Sequence, residues 1–192
     1  ELNNRQVLWP RGKVLGGSSA INGMLYVRGQ VDDYNGWAQR GNPGWSYDDV
    51  LPYFKKAEHC QAMAAGDTDF DSATHGIGGP LNVAPVLSGY EALDRVIAAA
   101  EKLGWPHNKD YNSGTQDGFS YYQVNQKSGL RFSAKKAYLD PARNRRNLQI
   151  VTSAHVTKIL FDGQKAIGVR YRWHGRTTSA FANCEVIISA GA

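Results

Sequence analysis

The chain has 192 residues, 42% hydrophobic and 20% charged, the balance of a globular protein with a core and not of a disordered or fibrous chain. No apolar run approaches the ~18 residues that span a bilayer, and two cysteines, Cys60 and Cys184, are too few for a secreted disulfide scaffold and read as free thiols. Lys and Arg exceed Asp and Glu by 22 to 17, a net charge of +5 that admits nucleic acid, an anionic surface or a phosphate-bearing cofactor as partner.

In chain order, Val7-Leu8-Trp9 reads as a short strand stopped by Pro10. Gly12, Gly16 and Gly17 build a turn, after which Ser18 or Ser19 is placed to cap a helix carrying Ile21, Met24 and Leu25. Asp32 or Asp33 opens a helix that Gly41 stops, and Ser46 caps another over Tyr47–Glu58 with a break or fresh turn at Pro52. Residues 61–80, rich in Gly, Asp, Ser and Ala, read as a loop with little to bury. Leu81-Asn82-Val83 reads as a strand, and a Ser88–Glu91 capping box precedes an amphipathic helix through Leu93, Val96, Ile97, Ala100 and Leu103. Phe119–Gln126 has strand character and turns at Lys127-Ser128-Gly129; Ser133 then caps a short helix to Leu139. Four strands follow as an antiparallel meander: Leu148–Thr152, His155–Phe161, Ala166–Trp173 and Thr177–Ala182, with turns at Asp162-Gly163 and His174-Gly175. Val186-Ile187-Ile188 is a continuous apolar run of the kind buried on both faces of a parallel sheet. The chain opens on Glu1 without Met and closes just after that run, so an internal piece of a longer polypeptide is expected.

The clearest chemical signal lies in Arg11-Gly12-Lys13-Val14-Leu15-Gly16-Gly17-Ser18-Ser19, within a stretch from Leu2 to Val31 that holds four cations and no acid. Glycines let backbone amides approach an anion, and the missing carboxylates remove competing charge. An anion- or cofactor-binding loop and a plain glycine-rich turn both fit. Neither standard phosphate motif, G-x-x-x-x-G-K-S/T or G-x-G-x-x-G, occurs. Asp67, Asp69 and Asp71 begin like a calcium loop, but Ser72 and Gly78 stand where the turn glycine and bidentate glutamate are needed. His59, His75, His107, His155 and His174 have no metal-ligand spacing, so no metal site is expected. Ser133-Ala134-Lys135-Lys136 lacks the companion motifs of an acyl-transfer serine.

Gly12 to Gly29, and within it Gly16-Gly17-Ser18-Ser19-Ala20-Ile21-Asn22-Gly23-Met24-Leu25, strongly resembles the first signature of the glucose–methanol–choline (GMC) oxidoreductases. The resemblance continues through Gly41-Asn42-Pro43-Gly44-Trp45, Gly79-Pro80-Leu81, Gln116-Asp117-Gly118 and Asn147 to Val156, and into Glu185–Ala192. Among members it is most similar to the choline-dehydrogenase-like and alcohol-dehydrogenase-like bacterial proteins.

The resemblance implies a mixed α/β fold: part of an FAD-binding Rossmann-like domain with an antiparallel meander, and part of a substrate-binding domain. The implied boundaries are 1–60 and 147–192 for the first and 61–146 for the second. It places Val14, Gly16, Gly17 and Ser18 at the FAD pyrophosphate, Asn22, Gly23, Met24 and Leu25 along the flavin ring, and Val156 at the adenine. Ile21 stands where some relatives carry the histidine that attaches FAD, so non-covalent FAD is expected. The family's catalytic histidine would lie beyond Ala192, so none of these residues is expected to be catalytic. The implied activity is oxidation of a primary alcohol, with oxygen or a quinone-like carrier as electron acceptor. The alternatives are a catalytically inactive flavin-binding piece and a basic nucleic-acid module, although cations and aromatics interleave in no nucleic-acid pattern. No Asn-x-Ser/Thr site occurs, which favours a cytoplasmic setting, and membrane association stays open.

Overall fold

The computed structural model describes residues 3–86 and 89–191, which form two compact units, Glu1–Asn144 and Arg145–Ala192. The fold class is mixed α/β, as expected.

In the first unit, helix α1 (Val31–Gln39) carries a reciprocal cap between Gln30 and Asp33 and gives way to Gly41 after its C-cap, Arg40. Helix α2 (Tyr47–Ala57) starts at the predicted cap: Asp49 N donates to Ser46 Oγ at 3.3 Å, and Ser46 N donates back to Asp49 Oδ2 at 3.1 Å. Pro52 is accommodated inside α2. The chain then enters strand β1 (Glu58–Cys60), which pairs in parallel with β2 (Leu81–Pro85) through Glu58–Leu81 and Cys60–Val83. A short helix, α3 (Gln61–Ala64), begins the crossover. Strand β3 (Gln123–Val124) adds antiparallel to β2, and β4 (Gln126–Lys127) and β5 (Leu130–Arg131) form a hairpin about Ser128-Gly129. Helix α4 (Glu91–Lys102) buries Ile97 and Ala100, but Leu93, Val96 and Leu103 of the same apolar face remain exposed. Ser88 of its predicted capping box lies outside the described residues; Tyr90 is the N-cap. A π-helical turn over Lys135–Leu139 runs into α5 (Asp140–Ala142), so Pro141 sits inside the helix end and not past it.

Four further expectations in this unit are corrected. Val7-Leu8-Trp9 is not a strand: all three side chains are exposed and no described strand pairs with them. No α-helix follows Ser18 or Ser19; only a 3₁₀ turn over Gly17–Ala20 forms, because both serine hydroxyls are bonded elsewhere and Leu25 pairs with Val124. The strand expected over Phe119–Gln126 shrinks to β3 and the start of β4, since Phe119 is held by Pro106 and Asn108. Residues 61–80 do bury something: His75 is 1% exposed, turned inward by Asp71, whose carbonyl accepts from His75 N at 2.8 Å.

The second unit is a three-stranded antiparallel meander, β6 (Ala154–Asp162), β7 (Lys165–Trp173) and β8 (Arg176–Phe181). The predicted turns at Gly163 and His174-Gly175 stand, and Leu148–Thr152 is irregular and not a fourth strand. Val186-Ile187-Ile188 is also not a strand, with Ile187 and Ile188 exposed. A run apolar on both faces needs a strand on each side to hold it in a sheet, and none among the described residues pairs with it.

Candidate cofactor site

The glycine turn closes on itself. Gly17 N donates to Val14 O at 2.9 Å, and Gly12 N donates to Ser18 Oγ at 3.2 Å. Gly16 and Gly17 have φ of 93° and 55°, the left-handed region that residues with a Cβ enter at a cost of about 1–2 kcal/mol. A Cβ on Gly17 would meet no atom within 4 Å, so this face of the turn is open. Ser19 Oγ donates to Gly16 O and accepts from Ala134 N at 2.9 Å, which ties the turn to the start of the π-helical segment. Val14 and Lys13 are exposed beside it.

Downstream the backbone is set residue by residue. Asn22 Oδ1 accepts from Met24 N at 3.1 Å and from Arg131 Nη1 at 2.8 Å. Met24 itself sits at φ 64°, unusual for an unbranched side chain, and its carbonyl accepts from Asn125 N at 2.7 Å. Leu25 bridges Val124, and Tyr26 N donates to Gln123 O at 2.9 Å. Val14 through Leu25, eight of the nine expected contact positions, therefore lie on one continuous segment whose path is dictated by β3, Asn125 and Arg131.

Behind this segment lies a buried charge cluster that sequence reading missed. Glu58 is fully buried, and its Oε2 accepts from Arg28 Nη2 at 2.9 Å, His75 Nδ1 at 3.0 Å and Gly76 N at 3.0 Å. His75 Nε2 faces Asp110 Oδ2 at 2.9 Å. Ionised carboxylates only accept, so both ring nitrogens must donate and the imidazole is held as the cation. Burial would pull its pKa down, but the bonds from Asp110, Cys60 and Glu58 outweigh that and push it up to about 11. Two cations thus face two anions, and the cluster is neutral overall. Glu58 Oε1 has no partner among the described residues.

The cluster reaches the Met24–Arg28 backbone through side chains. Asn112 Oδ1 accepts from Arg28 N at 2.8 Å, Asn112 Nδ2 donates to Tyr26 O at 3.1 Å, and Gln123 Nε2 donates to Asp110 Oδ1 at 3.2 Å. Burial raises the Tyr111 hydroxyl to about 12, so it stays a donor and bonds Tyr26 O at 2.9 Å. The only sequence signal for the cluster was an isolated His-Gly inside a polar loop, with partners 17 and 35 residues away from His75. Neither period nor spacing connects such residues.

An apolar cavity of about 520 Å³ lies between α1 and α2, walled by Tyr34, Trp37, Trp45, Tyr53 and Phe54; no residue from Val14 to Leu25 lines it. In the second unit Val156 lies on β6 opposite Tyr171 of β7, and Tyr171, Trp173 and His174 wall a cavity of about 330 Å³ with Gln149–Ser153. Among the described residues no group of three His, Cys, Asp or Glu could hold a metal ion, and no helix is long and apolar enough to cross a membrane.

The GMC oxidoreductase family matches the chain over residues 1–192. The chain belongs to this family. It is 43% identical over 195 residues to an uncharacterised GMC-type oxidoreductase of Mycobacterium tuberculosis, covering 100% of this chain and 36% of that protein. It is 39% identical over 191 residues to the mitochondrial choline dehydrogenase of Homo sapiens, covering 100% of this chain and 31% of that one. Among solved structures, an FAD-dependent oxidoreductase from Chaetomium thermophilum superposes with a TM-score of 0.84 at 35% identity, over 95% of this chain and 33% of that one. Pyridoxine 4-oxidase from Mesorbium loti gives a TM-score of 0.80 at 30% identity, over 91% and 34%. The chain spans about a third of the length of the relatives it matches. Membership agrees with the resemblance carried by Gly12–Gly29.

Proposed function

We propose that this GMC oxidoreductase chain forms the cofactor-facing part of an FAD-dependent enzyme that oxidises a primary alcohol, choline-like, aliphatic or aryl, to the aldehyde. The observation that carries this reading is the turn Val14–Ser18, closed by its own hydrogen bonds and open above Gly17, in a basic stretch without acids. Such a turn suits a pyrophosphate, because backbone amides can approach it and no carboxylate opposes it. Residues 1–60 and 147–192 would serve the FAD side and 61–146 the substrate side.

Within that reading Val14, Gly16, Gly17 and Ser18 hold the pyrophosphate, and Asn22, Gly23, Met24 and Leu25 line the flavin ring. Val156, beside the aromatic cavity of Tyr171 and Trp173, receives the adenine. Bound FAD, held without a covalent bond because Ile21 offers no nucleophile, would supply the hydride acceptor. The chain's own part is to fix the ring's edge: the Met24 carbonyl and the Tyr26 backbone are both committed to bonds, so this wall does not yield when a ligand presses on it. His75 is committed to two carboxylates and is not assigned the acid–base role. Oxygen or a quinone-like carrier would take the electrons.

Titration of the chain with FAD, followed by quenching of flavin fluorescence, tests this. Saturable quenching is expected, weakened about tenfold in Gly16→Ala, where a Cβ is strained at φ 93° and crowds Lys135. Equal affinity in parent and variant, or no binding by a parent whose circular dichroism shows it folded, would sink the assignment.

A further inference from the structure

The net charge of the chain is not spread over it. Residues 1–144 carry fifteen Lys and Arg against fifteen Asp and Glu, whereas residues 145–192 carry seven cations against two acids, Asp162 and Glu185. The whole +5 belongs to the meander unit, and the acid-free stretch near the N-terminus is balanced by acids elsewhere in residues 1–144.

The register of the sheet puts three of these cations, Lys158, Arg170 and Arg172, on one face, and Lys165 and Arg176 on the other with Asp162. On β7 the side chains of Arg170 and Arg172 point one way and those of Val169, Tyr171 and Trp173 the other. Arg170 stands opposite Lys158 of β6 and Ser179 of β8; Arg172 stands opposite His155 and Thr177. A bulge between Val156 and Lys158 brings Thr157 onto the same side as Lys158, and Thr157 Oγ1 donates to Arg170 O at 3.2 Å. At one end of this face Leu160 and Phe181 flank Gly168, and Phe181 is 73% exposed. His155, Lys158, Arg170 and Arg172 are all exposed. Among the described residues none of Lys158, Arg170 and Arg172 is in an ion pair.

Like charges directly opposite each other on a sheet are destabilising, and here Lys158 faces Arg170 with no acid on the same side. Folding gains nothing from the arrangement, so an external anion is what compensates it. We propose that the Lys158–Arg170–Arg172 face of the meander is a docking surface for an anionic phospholipid bilayer.

The shape selects this partner among polyanions. The face is a twisted sheet with no helix to enter a groove; Tyr171 and Trp173 lie on the opposite side, and the phenylalanines of this face, Phe161 and Phe181, stand at its Ala166–Gly168 end and not between the cations, where bases would stack. A cation array ending in an exposed phenylalanine is the side-chain mixture that suits a headgroup boundary, with charge at the phosphates and an apolar tip beneath them. The other face, with Val156, Tyr171 and Trp173, stays with the adenine reading, so the two proposals stand on different surfaces and fail separately.

The test is co-sedimentation of the 192-residue chain with vesicles of phosphatidylcholine alone and of phosphatidylcholine with phosphatidylserine at roughly 3:1. Binding is expected only to the anionic vesicles and should fall steeply between about 50 and 300 mM salt. Each surface cation contributes about a fivefold factor, so Arg170→Gln/Arg172→Gln should weaken binding roughly thirtyfold. That variant should keep or raise the melting temperature, because it removes the repulsion with Lys158. Arg40→Gln/Lys102→Gln, in the other unit, makes the same change in net charge and should leave binding within about twofold. Arg170→Lys/Arg172→Lys should bind nearly as the parent does, which covers the case in which the glutamine pair fails to fold. Equal losses in the glutamine pair and the control pair, no binding to anionic vesicles, or tighter binding of a single-stranded oligonucleotide at equal phosphate concentration would each overturn the proposal.

Discussion

Replacing His75 by Gln removes a buried cation from between two buried carboxylates while roughly keeping the side chain's volume. Glu58 would then keep Arg28, while Asp110 would keep only the neutral donors Asn112 N and Gln123 Nε2, and breaking a buried pair from one side costs about 3–5 kcal/mol. For a chain of this length each kcal/mol moves the midpoint by about 2–4 °C, so His75→Gln should melt about 10–15 °C below the parent near pH 6. The pH dependence is the sharper test. A folded-state pKa of about 11 lies above the ordinary 6.5, so the imidazolium's contribution is complete below about pH 6.5 and is withdrawn as pH rises towards 11. The slope is about 1.4 kcal/mol per pH unit, or about 4 kcal/mol between pH 6.5 and 9.5. The gap between parent and variant should therefore nearly close across that range in thermal melts followed by circular dichroism. The neighbours do not confuse the comparison: Tyr26 and Tyr111 are both raised and keep their protons there. Arg28 is raised and stays charged. A gap that is constant with pH would refute the charged imidazole, and a gap below ~1 kcal/mol at pH 6 would refute the energetic weight given to the cluster.

Ser46→Ala should cost about 1 kcal/mol, read as a shift in denaturant midpoint at unchanged slope, because α2 loses the hydroxyl that satisfies Asp49 N. Gly76→Ala should cost several times more and lower the yield of folded protein, since a Cβ there would collide with the Lys55 carbonyl where the His75 loop passes α2; a cost like that of Ser46→Ala would show that the loop can move aside.

Much of the local structure was legible because its causes are local. Ser46 and Asp49, three residues apart, cap α2 with no help from elsewhere. Ser128-Gly129, Gly163 and His174-Gly175 adopt positive φ, and the hairpins they close follow from turn chemistry. The family, and with it the segment Val14–Leu25, was readable from the order of residues around Gly16-Gly17-Ser18.

The failures have the opposite character. Ser18 and Ser19 looked like helix caps, but a hydroxyl bonds whichever donor comes first, and here those donors are Gly12 N and Ala134 N. Val186-Ile187-Ile188 has strand composition, yet a strand is made by its neighbours, and no described segment supplies them. His75 lay in a stretch with every mark of a solvated loop. It is buried because Glu58 and Asp110, distant in sequence, present one carboxylate to each ring nitrogen. The sign and total of the charge could be counted from composition, and so could its concentration in residues 145–192. That Lys158 and Arg170 meet on one face, with Val156 and Tyr171 on the other, was decided by a bulge in β6, since one inserted residue changes which side chains share a side. Sequence by itself determined the family, the Ser46 cap, the hairpin turns and the charge. Tertiary structure decided which polar groups leave water, because desolvation is compensated only by partners that the folded chain brings within about 3 Å.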